Sequence, residues 1–331
     1  MESQAENLKS RILKCDDIDS LALDIFKFQA EHNEVYSKYL DLLRIDPSKI
    51  NDISEIPFLP VEAFKTNEVK TGQFESERIF KSSGTTNTTS RSNHFVKSLH
   101  WYHKVSESIF CNLVGEVENF EWFGLLPGYL NRGDSSLVEM VRNFMDSSGS
   151  NHNFFLHDYS GLNDLISKSD RNIIVVGVTH AILSWLDGES APEFQKGITI
   201  IETGGMKGHG REPVRSEVHQ RISKAMQNAS IISEYGMTEL MSQAYATDGR
   251  YFETPPWMKV LIKDTADPMT ELERGRTGRV QIIDLANIDS CSFISTSDLG
   301  RLEPLQDSNR FEILGRFDHS DVRGCNLLSV N

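Results

Sequence analysis

Three stretches of this 331-residue sequence carry side chains whose types and spacing could do chemistry. The first is Ile79-Phe80-Lys81-Ser82-Ser83-Gly84-Thr85-Thr86-Asn87-Thr88-Thr89-Ser90. A strand-like apolar opening runs into small hydroxyl residues that can hydrogen-bond but build no core. Gly84 lets the backbone come close to a ligand. Small hydroxyls and bare N–H groups suit a polyanion such as a nucleotide triphosphate. The plainer reading is a Ser/Thr linker. The second stretch is Ser233-Glu234-Tyr235-Gly236-Met237-Thr238-Glu239-Leu240-Met241-Ser242-Gln243. Tyr235 can stack on an aromatic base and Thr238 can donate to a phosphate. Glu239 is a hard oxygen ligand for Mg²⁺, an ion that takes few protein carboxylates and keeps waters. The plainer reading is a helix N-terminus with Thr238 near the cap. The third is Ile294-Ser295-Thr296-Ser297-Asp298-Leu299-Gly300-Arg301, followed by Gly315-Arg316-Phe317-Asp318. A carboxylate just after a strand can accept from both hydroxyls of a ribose, and an arginine can balance phosphate or carboxylate charge. Read alone, both pieces are β-turns, since Ser-Asp and Gly-Arg are common turn dipeptides.

These residues need a scaffold, and the composition supplies one. Hydrophobic residues make up 38% and charged residues 25%, enough for a sizeable core in a globular chain. The net charge of −14 disfavours nonspecific binding to nucleic acid or to an anionic membrane surface. The N-terminus is polar, which predicts no secretory signal, and no apolar run approaches a membrane span. Cys15, Cys111, Cys291 and Cys325 lie far apart in no metal or redox pattern, so reduced thiols and a cytoplasmic location are expected. The ten histidines form no H-x-x-x-H pair that would suggest zinc, and His180 reads as a packed helix residue. Gly204-Gly205-Met206-Lys207-Gly208-His209-Gly210 lacks the G-K-[ST] of a P-loop. No G-x-S-x-G elbow is present, against an α/β-hydrolase.

The elements predicted from periodicity fall into a mainly α/β order. A polar helix covers residues 1–14, and helical spacing runs from Asp19 to Arg44. Pro57 and Pro60 force an extended segment before the Ser/Thr stretch. Helices are expected at Leu99–Leu113, Ser135–Asp146, near Leu162, at His180–Leu186 and at Val214–Met226. Between them lie apolar strands at 121–127, 154–156, 172–177, 197–202 and 230–234. Continuous apolar runs alternating with helices predict a mainly parallel sheet covered on both faces. Ligands then sit beyond the C-terminal ends of its strands. After Tyr245 the texture becomes β-rich, with strands at 257–263, 278–284, 292–296 and 311–314. The resulting plan is an N-terminal helical segment (1–50), an α/β core (51–245), a β-rich subdomain of that core (246–315) and a C-terminal stub (316–331).

Taken in order, S-S-G-T-T, a Gly-Gly after a strand (Gly204-Gly205), Y-G-M-T-E, S-D-L-G-R and G-R-x-D resemble one family. They look like the adenylate-forming superfamily of acyl-CoA synthetases, adenylation domains and luciferases. The closer resemblance is to its LuxE-like acyl-protein synthetases, through P-F-L-P-x-x-x-F-K at Pro57–Lys65, K-S-S-G-T-T at Lys81–Thr86, G-L-L-P-x-Y at Gly124–Tyr129 and R-G-C at Arg323–Cys325. The resemblance spans about residues 50–331. It implies the superfamily's large N-terminal domain, with the C-terminal lid domain and its catalytic lysine absent or reduced to a stub. It also implies ATP and Mg²⁺ as cofactors and a carboxylic acid, a fatty acid above all, as substrate.

By the same resemblance Ser82, Ser83, Gly84, Thr85 and Thr86 would embrace the ATP phosphates. Gly204 and Gly205 would line the adenine pocket, with Tyr235 and Gly236 beside the base. Thr238 would touch phosphate, Glu239 would hold Mg²⁺, Asp298 would bind ribose and Arg316 would lie near the nucleotide. Cys325 would accept the acyl group as a thioester and pass it to a partner reductase or acyltransferase. Two departures stand out. Asn87 occupies the family's glycine position, and no lysine follows until Lys97, so Arg91 could supply the charge. A CoA ligase using free CoA and a non-catalytic nucleotide-binding scaffold are the rival readings. Phe123, Leu125, Leu126, Tyr129 and Val176–Thr179 could line an acyl tunnel or fill core.

Overall fold

The structure is a computed structural model, and it describes residues 1–82, 91–126, 133–151, 153–188, 197–204, 214–305 and 308–317. In chain order the helices are α1 (Glu2–Ile12), α2 (Ile18–His32), α3 (Glu34–Leu42), α4 (Ala63–Thr66), α5 (Leu99–Leu113), α6 (Ser136–Ser148), α7 (Tyr159–Lys168), α8 (Thr179–Leu186) and α9 (Arg215–Ala225). The strands are β1 (Leu59–Pro60), β2 (Arg78–Lys81), β3 (Asn93–Val96), β4 (Phe120–Leu125), β5 (Phe154–Phe155), β6 (Asn172–Val178), β7 (Ile198–Thr203), β8 (Ser230–Tyr235), β9 (Ala244–Ala246), β10 (Met258–Lys263), β11 (Gly278–Asp284), β12 (Phe293–Leu302) and β13 (Phe311–Arg316). The α/β expectation holds, and the helix predicted at Leu99–Leu113 appears with those bounds. Ser98 caps it by accepting from the Trp101 N–H, which satisfies an orphan donor of the first turn.

The chain divides into two compact units. One unit, residues 64–68 and 73–255, is built on a sheet of order β5-β4-β6-β7-β8-β9. The first five strands run parallel, and β9 returns antiparallel to β8. β6 reads Asn-Ile-Ile-Val-Val-Gly-Val and is buried from Ile173 onward, as a strand covered on both faces must be. Under α5 and α6 an aromatic cluster forms around Trp122. Its ring lies 4.9 Å from Phe110 and 5.0 Å from Phe144, centroid to centroid. The indole N–H donates to the Val117 carbonyl at 3.0 Å, so this large buried side chain keeps its polar handle satisfied. A separate antiparallel pair, β2–β3, flanks the hydroxyl-rich stretch in the sequence.

The other unit comprises residues 1–63, 69–72 and 256–331. Its sheet has the order β1-β12-β11-β10, with β13 also paired to β12. All of its pairings are antiparallel except β1 on β12. Phe293 of β12 is ringed by Phe26, Tyr36 and Phe58 at 5.9, 6.1 and 6.1 Å. The helical stretch expected from Asp19 to Arg44 is two helices, α2 and α3. Asn33 divides them: its backbone is extended, and its side chain accepts from the Tyr36 N–H as the N-cap of α3.

One residue of α2 holds a loop that helix periodicity would not mark. Gln29 is fully buried; its Nε2 donates to the carbonyls of Asn287, Ile288 and Ser290, and its Oε1 accepts from the Ser292 N–H. Gln29→Leu keeps the volume but strands the buried Ser292 N–H and the Ile288 carbonyl, since the Asn287 and Ser290 carbonyls keep other donors. It is expected to cost about 3 kcal/mol in urea unfolding, with the m-value unchanged. A loss below about 0.5 kcal/mol would contradict this role.

Candidate active site

In the first unit, β3 joins two of the chemistry-bearing stretches. His94 is 1% exposed, and its Nδ1 lies 2.8 Å from the carbonyl oxygen of Thr238. Because a carbonyl only accepts, the proton must sit on Nδ1. Phe64 and Phe80 meet the imidazole edge-on at 6.1 and 6.5 Å. The strand that follows the hydroxyl-rich stretch is thereby tied to the Tyr235–Glu239 turn. Sequence reasoning missed His94. Its only local signal is a polar ring on the buried side of Asn93-His94-Phe95-Val96.

The hairpin stem is closed by its own polar groups. Ser82 N–H donates to the Ser92 carbonyl at 3.1 Å, and Ser92 N–H donates to Ser82 Oγ at 3.0 Å. Arg91 donates to the Ser82 and Lys81 carbonyls and pairs with Asp134 Oδ2 at 3.0 Å. Arg91, the candidate substitute for the lysine, therefore spends its guanidinium on the stem, facing a carboxylate. Of the predicted phosphate loop only Ser82 falls within the described residues; Ser83, Gly84, Thr85, Thr86 and Asn87 lie outside them.

The Tyr235–Glu239 stretch follows β8, and it is a turn, not the helix N-terminus of the plainer reading. The reason is β9: the chain must reverse at once to pair Tyr235 with Ala244 and Glu234 with Tyr245. Leu240 N–H closes the turn on the Met237 carbonyl at 3.2 Å. Tyr235 is half-buried at the end of β8, 5.7 Å from Phe252 centroid to centroid. Thr238 is half-buried, and Glu239 is 5% exposed. Among the described residues no group of three or more His, Cys, Asp or Glu could hold a metal. A single carboxylate fits Mg²⁺ held chiefly by phosphate oxygens and water, and does not fit a metal caged by protein alone.

Gly204 directly follows β7 and is exposed, and a Cβ there would meet no atom of the described residues within 4 Å. Gly205 lies outside the described residues. The neighbouring strand ends hold two further acids that sequence reasoning did not single out. Glu202 is buried; its Oε2 accepts from Thr179 Oγ1 at 3.3 Å and its Oε1 lies 3.6 Å from His219 Nε2. Glu234 is buried one residue before Tyr235. Burial pushes its carboxyl up to about 7; a hydrogen bond from Thr203 opposes this, and the charge of Glu202 adds to it. A glutamate breaking an apolar strand just before Tyr-Gly was the available signal. His180, in α8, is half-buried as a packed helix residue would be.

Phe123, Leu125, Leu126, Val176, Val178 and Thr179 are all buried. Phe123 packs against Phe155 at 6.3 Å, and a Cβ on Gly177 would meet Ile182 and Leu125 within 3.1 Å. These residues fill core and give an acyl tunnel no support; Tyr129 lies outside the described residues.

In the second unit the last two stretches meet as cross-strand partners. Asp298 pairs with Arg316 in the β12–β13 ladder, and Arg316 Nε lies 3.5 Å from Asp298 Oδ1. The β-turn reading of both pieces fails here, because β12 continues to Leu302 and β13 to Arg316. Asp298 thus sits within a strand and not just after one, next to a register shift between Leu299 and Gly300. Its side chain is 12% exposed and that of Arg316 is 86% exposed. Cys325 lies outside the described residues. Cys291 is buried, and burial pushes its thiol up to about 12, which suits an inert core residue.

No protein-family profile and no curated protein matches the sequence. Solved structures do. One is 2-hydroxyisobutyryl-CoA ligase in complex with 2-HIB-AMP and CoA, with a TM-score of 0.65 and 13% identity over 96% of this chain and 69% of that one. The chain has the fold of the N-terminal domain of adenylate-forming ligases. ATP-bound MatB from Rhodopseudomonas palustris aligns at TM-score 0.53 and 18% identity over 72% of this chain, and the amide bond synthetase McbA from Marinactinospora thermotolerans at 0.52 and 14% over 72%. The chain spans 47% of the MatB chain and 49% of the McbA chain. At these identities the likeness to adenylate-forming ligases is one of fold. It does not reach the LuxE-like branch.

Among the described residues no helix is long and apolar enough to cross a membrane.

Proposed function

We propose that this chain activates a carboxylic acid with ATP and passes the acyl group to a thiol, as an AMP-forming ligase of the acyl-protein synthetase kind. A carboxylate oxygen attacks the α-phosphorus, the bond to the β-phosphate oxygen breaks, and pyrophosphate leaves. A thiolate then attacks the acyl carbon of the adenylate and AMP leaves. The observation that carries this reading is the His94–Thr238 hydrogen bond, which ties the strand that follows the hydroxyl-rich stretch to the Y-G-M-T-E turn at the end of a parallel strand. Ligands in open α/β sheets sit at such strand ends.

In this reading Ser82, Ser83, Gly84, Thr85 and Thr86 donate to phosphate oxygens, and Thr238 adds a hydroxyl. Gly204, Gly205, Tyr235 and Gly236 accommodate the base. Asp298 accepts from the ribose hydroxyls and Arg316 balances nucleotide charge. Glu239 holds Mg²⁺, which when bound neutralises charge developing on the phosphates. Carboxylate and triphosphate repel each other, so donors fixed in place before the reaction are what such a site must provide.

Cys325 is the proposed acceptor, with Arg323 favouring its thiolate and a reductase or acyltransferase taking the acyl group onward. The test is intact-protein mass after incubation with ATP, Mg²⁺ and a panel of acids. A hydroxylamine-labile acyl adduct is expected, and it should vanish in Cys325→Ser. Persistence of the adduct would move the acceptor elsewhere. A CoA thioester formed with no protein adduct would make the chain a CoA ligase, and neither product would leave a nucleotide-binding scaffold.

A further inference from the structure

Polar groups that the adenylation chemistry does not use converge beside the Tyr235 turn. Glu234 and Tyr245 are cross-strand partners, so their side chains share one face of the sheet. Two residues on, Gly236 and Gln243 continue that face by strand alternation. On the other side Glu234 is the register partner of Thr203, whose hydroxyl bonds its carboxyl. Apolar and aromatic groups surround this patch. Tyr245 is buried with its hydroxyl 3.9 Å from Met140 Sδ of α6, and Tyr102 of α5 is buried with its hydroxyl donating to the Ser136 carbonyl.

Two details indicate that the patch meets a ligand. A Cβ placed on Gly236 would lie 2.5 Å from Glu234 Oε1 and 3.5 Å from Gln243 Cγ. Gly236 is itself exposed, and its missing side chain leaves room beside the buried Glu234 carboxylate oxygen. The second detail is Gln243, 4% exposed. Its Nε2 donates to the Met241 carbonyl at 3.2 Å, while its buried Oε1 has no hydrogen-bond partner among the described residues. A buried acceptor without a donor costs about 1–3 kcal/mol, so a native structure keeps one only for a reason.

Resting on the adenylation reading, we infer that the acid this chain activates carries a protonated amino group, received at the Gly236 notch by Glu234 and Gln243 Oε1. Both protein groups are acceptors, and an ammonium is donor-only with three N–H groups, so the chemistry is complementary. An alkyl chain there would leave Gln243 Oε1 unpaired and the Glu234 carboxylate with no cation beside it. A hydroxyl would satisfy one and leave the carboxylate's charge unbalanced. The atoms nearest to a Cβ on Gly236 belong to Glu234 and Gln243 and not to the second buried acid, Glu202, so Glu234 is the carboxylate that faces the notch.

The test is acid-dependent ATP–pyrophosphate exchange over sets of carboxylic acids that differ only in bearing –CH₃, –OH or –NH₃⁺ at one position. The wild type should favour the amino member by about tenfold or more in kcat/KM, the weight of one charge-assisted hydrogen bond. Glu234→Leu should erase or invert that preference with KM for ATP unchanged. Gly236→Ala, which fills the notch without deleting the acid, should also erase it and covers the case in which Glu234→Leu fails to fold; because Gly236 also borders the base in the adenylation reading, the preference is compared among the three acids at saturating ATP, where a nucleotide effect is common to all of them. Exchange that favours the alkyl or hydroxyl member overturns the inference and leaves the adenylation reading standing. An amino preference that survives both substitutions overturns the assigned site. No exchange with any acid removes the adenylation reading and the inference together.

Discussion

Glu239→Gln is expected to lower acid-dependent ATP–pyrophosphate exchange by at least about 100-fold, or about 2.7 kcal/mol of transition-state stabilisation. The substitution keeps the shape of a side chain that is 5% exposed and removes only its charge. The surrounding turn is held by the Leu240–Met237 backbone bond and the His94–Thr238 bond, neither of which involves the Glu239 carboxylate. In the adenylation reading the loss comes from cation binding. A hard divalent ion bound by one protein carboxylate, phosphates and water has little else to hold it when that carboxylate becomes an amide. The distinguishing readout is the Mg²⁺ dependence, whose half-saturating concentration should rise by about tenfold or more, since a tenfold change corresponds to only 1.4 kcal/mol. Equal exchange in the variant, or lost exchange with an unmoved Mg²⁺ midpoint, would remove Glu239 from the metal.

The scaffold was legible because its signals are local. Ser98 followed by apolar residues at helical spacing gives α5, and a continuous apolar run gives β6. What was misread depends on distant partners. Nothing near Ser297-Asp298 says that β13 will extend β12 past them, since their ladder partners lie beyond residue 311. Thr238 and Glu239 look like the start of a helix until β9 claims the next residues. His94 acquires its meaning only from a carbonyl 144 positions away, and Gln29 from carbonyls more than 250 away. Glu234 is a related case. A lone glutamate in Ser-Ile-Ile-Ser-Glu-Tyr is unremarkable as a letter, and becomes chemical when Thr203, Tyr245 and Gly236 set its surroundings. Short motifs therefore located the strand ends that matter, while the residues that position and tune them became visible only once the sheet was assembled.

Glu234 makes the stability of the fold depend on pH with an unusual sign. Its folded carboxyl titrates near 7 against an ordinary value of 4.5, first because burial penalises the charged form and then because Glu202 lies near. Below about pH 4.5 folded and unfolded chains both hold the proton, and the group contributes no difference. Between 4.5 and 7 the unfolded chain releases the proton while the folded chain keeps it, so this group lowers stability as pH rises. Above 7 both states are ionised, and a penalty of about 3 kcal/mol, from 2.5 pH units at 1.36 kcal/mol each, is fully present. Glu234→Gln removes the titration and keeps an oxygen to accept from Thr203. Relative to wild type the variant should gain about 3 kcal/mol in urea unfolding between pH 4.5 and pH 8, most of it around pH 5 to 7. Charges common to both proteins cancel in that difference. A stability difference that stays flat across this range would show that Glu234 is ionised in the fold at acid pH, with its charge already balanced.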